Sequence, residues 1–148
     1  MKKLLLALLL VGTVAQAEVY IGLGASYANL KEQTVRDNFN SGAVTAIVGM
    51  TLNDYVSIEA RGALGEQDVY SSYSAYGKFK AVEIKEASLY FLTGYGSTSV
   101  GGVAESGGEV GVGLEYDITM YNLKVFGDIV YKDGYEEVVS LVGLKYSF

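Results

Sequence analysis

The feature that most constrains the fold is a two-residue alternation that begins after residue 18. Apolar side chains alternate with small or polar ones in segments of about ten residues, and turn-forming clusters separate the segments. A period of two places successive side chains on opposite faces of an extended strand. The pattern therefore predicts an all-β chain of eight strands. These are Val19 to Tyr27, Ala43 to Leu52, Val56 to Gly65, Lys78 to Lys85, Ser88 to Gly96, Glu109 to Ile118, Tyr121 to Tyr131 and Val138 to Phe148.

The links between the segments alternate between short and long. The short links are Asn53-Asp54, the region of Glu86-Ala87, and Thr119-Met120. The long links are Ala28 to Gly42, Glu66 to Gly77, Ser97 to Gly108, and Lys132 to Glu137. This alternation predicts an antiparallel up-and-down meander whose two ends face different environments, with both chain termini at the short-turn end.

The two faces of the strands differ in chemistry. One face is apolar and carries no charge in seven of the strands, as in Val19, Ile21 and Leu23. The opposite face carries five acids and four bases: Glu59, Arg61, Glu83, Lys85, Glu115, Asp117, Lys124, Asp128 and Lys145. The fourth strand follows this rule loosely, because Lys80 falls on its apolar face, where we place it near the rim.

Two barrels fit this alternation: a soluble barrel with the apolar face inside and a transmembrane barrel with that face towards lipid. Glycines favour the second, because a cramped barrel interior needs small residues beside long charged ones. Eight glycines share the charged face: Gly22, Gly24, Gly49, Gly94, Gly96, Gly111, Gly113 and Gly143. Several tyrosines also cluster near strand ends, as in the aromatic girdles of membrane barrels. The sequence therefore predicts an eight-stranded antiparallel up-and-down transmembrane β-barrel.

Residues 1–17 have the pattern of a secretory signal peptide. Met1-Lys2-Lys3 gives a positive start, Leu4 to Val14 is an apolar run too short to cross a bilayer, and Ala15-Gln16-Ala17 is a small-x-small cleavage site. A buried core helix is the alternative for residues 4 to 14. We expect residues 18–148 to form the mature barrel domain, in which nine bases and 17 acids give a net charge of −8. Such a charge argues against a nucleic-acid partner.

At this point the sequence resembles a known family. Three strand motifs carry the resemblance: Val56-Ser-Ile-Glu-Ala-Arg-Gly, Gly113-Leu-Glu-Tyr-Asp-Ile-Thr and the closing Val142-Gly-Leu-Lys-Tyr-Ser-Phe. They are similar to motifs of the bacterial outer-membrane-protein β-barrel family, whose small eight-stranded members include the OmpA transmembrane domain and OmpX. The resemblance implies location in a Gram-negative outer membrane. It also implies that Phe148 is the C-terminal signal read by the barrel-assembly machinery.

The charged face has two possible interpretations. Its carboxylates could form a catalytic cluster, since burial shifts the pKa of a carboxyl group. The interpretation we favour is a structural ion-pair network that plugs the lumen, because four bases on the same face offer each acid a counter-ion. The chain has no Cys and no His. This absence excludes thiolate and imidazole metal sites and the His-dependent hydrolases, so we expect no cofactor, no metal and no enzymatic activity.

The long links are the remaining functional surface. Tyr70, Tyr73 and Tyr76 lie in the second of them and are candidates for contacts with a surface ligand, since tyrosine brings large area at low entropy cost. The interpretation we favour is that they belong to an extended barrel wall or an aromatic belt. The third and fourth links are Gly-rich or acidic, and we expect Glu105, Glu109, Asp133, Glu136 and Glu137 to form an acidic rim.

Three functions follow from these observations. The first is a monomeric structural or surface-loop-presenting protein, with a role in adhesion or interaction, that contacts membrane lipid and lipopolysaccharide. The second is a narrow pore or small-solute transporter, suggested by the glycine-lined interior. The third is a soluble periplasmic ligand-binding barrel, which requires the apolar face to be internal.

Overall fold

A computed structural model describes residues 17–30, 39–65, 70–118 and 120–148. These residues form eight strands: β1 Glu18–Leu30, β2 Phe39–Asn53, β3 Val56–Gly65, β4 Tyr70–Ile84, β5 Ala87–Val100, β6 Val103–Ile118, β7 Leu123–Lys132 and β8 Glu137–Ser147. Each strand pairs antiparallel with the next, and β8 pairs with β1 to close the barrel. The predicted eight-stranded up-and-down barrel is confirmed. The predicted signal peptide lies outside the described residues apart from Ala17.

The barrel wall separates the two kinds of side chain as the alternation predicts. On β1 the exposed residues from Val19 to Asn29 are the odd-numbered ones, such as Ile21 and Leu23, while Tyr20 and Ser26 are buried. The charged face points into the lumen, where Glu59 and Lys145 are buried. The soluble barrel with an internal apolar face therefore does not fit the structure. Within the described part of the chain, no helix is long and apolar enough to cross a membrane.

Close packing inside the barrel explains the inward glycines. At Gly49 an added Cβ would overlap the ring of Tyr20, and at Gly111 it would lie 2.7 Å from the carbonyl oxygen of Ile129. All eight glycines of the charged face are crowded in this way. By contrast, a Cβ at the outward-facing Gly42 would meet nothing within 4 Å. The glycines therefore make room for long side chains in a narrow lumen.

The strands extend further at the long-link end than the sequence predicts. β4 begins at Tyr70 rather than at Lys78, and β5 and β6 continue to a two-residue turn at Gly101-Gly102. Both glycines have positive φ, 59° and 86°, as a tight hairpin turn requires. The predicted second and third long links are thus mostly strand. Together, β4, β5 and β6 form an extended wall at this end of the barrel.

A β-bulge near the short-turn end changes the orientation of side chains in β4. The register with β5 shifts between Lys80 and Val82, so that Ala81 is an extra residue in the strand. Before the bulge, the alternation along β4 places Lys78 and Lys80 on the inner face together with Tyr76. The prediction that Lys80 lies on the apolar face was therefore wrong, because it assumed unbroken alternation back from Glu83.

Candidate functional site: the charged lumen

The lumen near the short turns is filled by a cluster of three acids and three bases. Arg61 bridges two of the acids: its Nε lies 2.5 Å from Oε1 of Glu59, and its Nη2 lies 2.5 Å from Oδ2 of Asp128. Strand β3 positions both Glu59 and Arg61, which are two residues apart and therefore share the inner face. Asp128 reaches the same guanidinium from β7.

Lysines complete this cluster. Lys145 Nζ lies 2.8 Å from Oε2 of Glu59 and 2.9 Å from Oε1 of Glu115. Lys78 forms an ion pair with the same oxygen of Glu115, and its ammonium group lies 3.9 Å from the ring centre of Tyr90. The side chain of Lys145 is only 2% exposed. The turn-side cluster is defined by the six residues Glu59, Arg61, Lys78, Glu115, Asp128 and Lys145.

A second cluster fills the other half of the lumen with fewer charges. Lys132 is its single base; Nζ lies 3.6 Å from Oε1 of Glu109 and 2.5 Å from the hydroxyl of Ser72. Glu137, which is 0% exposed, accepts hydrogen bonds from Tyr70 at 2.6 Å and from Thr98 at 3.2 Å. Among the described residues no base lies within 4.0 Å of its carboxylate. The loop-side cluster comprises Tyr70, Ser72, Ser74, Tyr76, Thr98, Glu109, Lys132 and Glu137.

Buried tyrosines recur as partners of buried acids in both clusters. Each of four hydroxyl groups donates to a different carboxylate: Tyr20 to Glu59, Tyr70 to Glu137, Tyr76 to Glu109 and Tyr90 to Asp128. A tyrosine hydroxyl supplies a donor without adding a charge, which suits a lumen with more acids than bases. The sequence pattern does not predict these pairs, because it places Tyr70 and Tyr76 in a link and assigns no role to Tyr20 or Tyr90.

An apolar cap closes the loop end of the lumen. Tyr135, which is 4% exposed, packs in one cluster with Ala28, Ala43, Ala63, Tyr70 and Val139. Its hydroxyl donates to the backbone carbonyl of Val103 at 2.8 Å. The connection between β7 and β8, which carries Tyr135, thus folds over the loop-side cluster and covers it.

The cavities of the lumen are small and unequal. At the short-turn end a cavity of about 160 Å³ is lined by Lys78, Lys145, Glu115 and residues of the rim. Between the two clusters lies a cavity of about 30 Å³, which holds one or two water molecules at most. Next to Tyr135 the cavity volume is about 10 Å³. The barrel is therefore open to solvent at the short-turn end and tightly packed beyond it.

The structure brings together only part of the predicted ion-pair network. Five of the nine predicted residues meet in the turn-side cluster: Glu59, Arg61, Glu115, Asp128 and Lys145. Asp117 and Lys124 lie at the short-turn mouth, half-exposed, with 4.0 Å between Oδ2 and Nζ.

Glu83 and Lys85 lie outside the lumen, contrary to prediction. Both follow the bulge in β4, where the wall ends; Lys85 already belongs to the turn and has a φ of 55°. Glu83 is exposed and pairs with Lys80, whose Nζ lies 2.6 Å from its Oε2. The hydrogen bond and the positive charge of Lys80 hold the pKa of the Glu83 carboxyl below its ordinary value.

Several tyrosines and acids that the sequence places in the long links belong to strands in the structure. Tyr70, Tyr73 and Tyr76 belong to strand β4; Tyr70 and Tyr76 are buried inside the barrel, and Tyr73 points outward. This is the extended barrel wall that the sequence favours over a patch for ligand contacts. Glu109 and Glu137 are buried in the lumen instead of lying on an acidic rim, because β6 and β8 include them.

Phe148 lies at the seam of the barrel. Its backbone N–H donates to the carbonyl of Val19 at 3.0 Å, and its ring packs edge-on against Tyr146 with 5.2 Å between ring centres. The side chain is 71% exposed on the apolar outer surface. Phe148 thus extends the β1–β8 pairing by one residue.

The lumen has the chemistry of a neutralised, hydrogen-bonded interior. Every acid of the turn-side cluster contacts a base within 3.0 Å, and no group of three or more acids in the described part of the chain is arranged to hold a metal ion. Paired and hydrogen-bonded charges hold one another in place.

Comparison with known proteins assigns this architecture to a family. The family model of the outer membrane protein β-barrel domain matches residues 4–148, which is almost the whole chain. The chain belongs to this family. It is therefore a protein of the Gram-negative outer membrane. Short turns of such barrels face the periplasm and longer connections face the cell exterior, so the turn-side cluster is the periplasmic one.

Solved structures with the same fold are distant in sequence. The N-terminal β-barrel domain of OprF from Pseudomonas aeruginosa has a TM-score of 0.69 and 14% identity, covering 90% of this chain and 100% of that one. Neisserial surface protein A has a TM-score of 0.63 and 15% identity, with coverage of 89% and 99%. Ail, the attachment invasion locus protein of Yersinia pestis, has a TM-score of 0.61 and 20% identity, again with coverage of 89% and 99%. No curated protein matches the sequence.

Proposed function

We propose that the protein is a non-enzymatic outer-membrane barrel with a closed lumen that acts through its outer surface, as a structural or surface-presenting protein. One observation carries this proposal: two charged clusters and an apolar cap fill the lumen in series. The turn-side cluster pairs three acids with three bases, the loop-side cluster surrounds Lys132, and Tyr135 covers both.

The energetics of buried charge support a plug. Moving Arg61 or Lys145 aside would take one of its two counter-ions from Glu59 in the lumen. Removing one partner from a buried ion pair costs about 3–5 kcal/mol, because the remaining charge is poorly solvated. Since both bases contact Glu59, a passage through this cluster requires several contacts to break together. A lumen of this kind conducts little or nothing.

The extended wall at the extracellular end supports a role at the cell surface. The wall formed by β4, β5 and β6 continues past Tyr73 and Tyr95 to the hairpin turn at Gly101-Gly102. Among the proteins of similar fold, one is named for attachment and invasion and another is a surface protein. We infer that this chain presents its extracellular wall to other molecules, whose identity the fold does not specify.

Biogenesis and membrane contacts complete the proposal. In the lipid-facing band the outward face is uncharged and mainly apolar, and β4 also presents Ala75, Gly77 and Phe79 there. We infer that this surface contacts outer-membrane lipid and lipopolysaccharide, and that Phe148 at the barrel seam is the residue read by the barrel-assembly machinery. A monomer is sufficient for this arrangement because the barrel has no open edge.

A liposome-swelling assay tests the closed lumen. The purified, refolded protein is placed in vesicles, and the permeation of arabinose and glycine is compared with that of empty vesicles and of a porin. We expect rates equal to those of empty vesicles. Rates that rise with the amount of barrel would contradict the proposal.

The second candidate is a narrow pore, which the periplasmic cavity of about 160 Å³ favours. It requires a path past Tyr135, where the cavity volume falls to about 10 Å³. The swelling assay distinguishes the two functions, because only a pore admits solute.

A further inference from the structure

Hydroxyl groups are concentrated on the outward face of the β4–β6 wall, at the extracellular end of the barrel. Four serines and two tyrosines lie side by side on it: Ser71, Tyr73, Tyr95, Ser97, Ser99 and Ser106, here called the serine face. Cross-strand pairing makes it continuous, since Ser97 is opposite both Tyr73 and Ser106, and Ser71 is opposite Ser99. Tyr73 and Tyr95 are each 64% exposed.

The serine face carries no charge. The exposed charged residues that the structure describes at the extracellular end are all acids: Glu105, Asp133 and Glu136. None of them belongs to the serine face, whose other outward neighbours are Ala104 and Gly108. Solvated surfaces of small domains usually carry charges, so a charge-free sheet face of this extent suggests contact with something other than water.

The position of the serine face identifies what it contacts. It continues without interruption from the lipid-facing band, where Ala75 and Thr93 lie one step closer to the membrane centre. Residues directly above the hydrocarbon of the outer leaflet meet lipid headgroups. In this membrane the outer-leaflet glycolipid is anionic, and acids elsewhere on the extracellular end would repel it.

The side chains fit a sugar headgroup. Serine hydroxyls donate and accept, which matches sugar hydroxyls and phosphate oxygens. Tyrosine offers a flat apolar ring with a polar tip, and it is favoured at membrane interfaces for that reason. On the opposite wall, Tyr131 lies at a similar level but is flanked by Val110 and Val138, which offer no hydrogen bonds.

We propose that the serine face is the docking site for the sugar headgroup of lipopolysaccharide in the outer leaflet of the same membrane. This inference rests on the proposed contact with lipopolysaccharide and adds its location. The wall presents a hydroxyl-lined, acid-free surface to the headgroup, while the lipid-facing band below it meets the acyl chains.

The test places two acids on the serine face. In S97D/S106D the new carboxylates oppose each other on neighbouring strands and repel an anionic headgroup. The matched control is N29D/N40D, which adds an identical pair at directly opposed, exposed positions on β1 and β2. Binding of fluorescently labelled lipopolysaccharide to the refolded protein in detergent is followed by anisotropy, and heat-modifiable gel migration verifies that each variant is folded.

We expect S97D/S106D to weaken binding about tenfold and N29D/N40D to change it less than about twofold. Equal effects of the two variants would overturn the location of the site. Failure of the wild-type protein to bind lipopolysaccharide would overturn both the location and the proposed partner, without bearing on the swelling assay. Should S97D/S106D not fold, Tyr73→Ala is compared with Tyr131→Ala, and only the first is expected to weaken binding.

A competition experiment separates a membrane glycolipid from a soluble glycan. Unlabelled lipopolysaccharide is expected to displace the labelled form at far lower concentration than its delipidated core oligosaccharide. Equal competition by the oligosaccharide would show a site for free glycans and would contradict docking of the membrane lipid.

Discussion

The two halves of the lumen stabilise their buried carboxylates by different means. In the turn-side cluster, each acid contacts a base, as when Arg61 and Lys145 both approach Glu59. In the loop-side cluster, Glu137 is held by the hydroxyls of Tyr70 and Thr98, and a single lysine serves the whole cluster. One half is thus built on ion pairs and the other mainly on hydrogen bonds from neutral donors.

This difference predicts how each half tolerates change. Removing the counter-ion of a buried charge costs a large free energy of unfolding. Removing a neutral hydroxyl donor costs less. The periplasmic half, which is next to the open cavity, is also the half with the stronger electrostatic contacts. In the extracellular half, Tyr135 and the alanines around it pack over the charged groups.

Replacing one acid in each half by its amide should give the largest difference in the free energy of unfolding. Glu59→Gln leaves Arg61 and Lys145 without the charge that both contact, and we expect a loss of about 3–5 kcal/mol in the free energy of unfolding. Glu137→Gln is the matched control and should cost about 1 kcal/mol, since its donors are neutral. Urea unfolding in lipid vesicles measures both. Equal costs would remove the distinction between the two halves.

Removing one hydroxyl from the loop-side cluster should have an intermediate effect. Tyr70→Phe keeps the ring in the apolar cap but removes the donor to Glu137, and we expect a loss of about 1.5–3 kcal/mol. Tyr73→Phe, on the outward face of the same strand, is the control and should be neutral in the same unfolding experiment. A neutral Tyr70→Phe would mean that the hydroxyl does not stabilise the buried carboxylate.

Charges at the periplasmic mouth should contribute less to the free energy of unfolding than charges inside either cluster. Lys124→Met removes a half-exposed partner that lies 4.0 Å from Asp117, and we expect a change of about 0–1 kcal/mol in unfolding free energy. A loss as large as that of Glu59→Gln would extend the turn-side cluster to the rim.

The exposed pair of Lys80 and Glu83, which spans the bulge, should have the smallest effect on the free energy of unfolding, with a defined pH dependence. Because Lys80 lowers the pKa of Glu83, the pair stabilises the fold above the ordinary carboxyl pKa and this stabilisation disappears as the pH falls through the lowered value. Any difference between wild type and Glu83→Gln at pH 7 should therefore vanish in acid. A difference that grows as the pH falls would contradict this pairing.

The sequence predicts the barrel well because the membrane imposes a simple rule. Outward side chains within the hydrocarbon must be uncharged and are mostly apolar, so residues such as Ile21 and Val112 mark the outer face. The crowded positions of Gly49 and Gly111 confirm that the glycine-rich face is internal.

The rule fails where the hydrocarbon ends. In the wall of β4, β5 and β6 the outward side chains need not be apolar, so Ser71, Ser97 and Ser99 resemble loop residues although their backbones still pair. A single extra residue, Ala81, reverses the orientation of the charges around it and moves Lys80 inward. Contacts between buried tyrosines and acids are also hidden, because they join strands that are far apart in sequence.

Single-channel recording in planar lipid bilayers tests the closed lumen most directly. The purified protein is recorded beside Arg61→Ala, a variant that removes the base between Glu59 and Asp128. The closed lumen predicts that the wild-type protein inserts without stable, porin-sized current steps and that Arg61→Ala shows more frequent small openings. Stable porin-sized steps from the pure wild-type protein would show an open lumen and contradict the account.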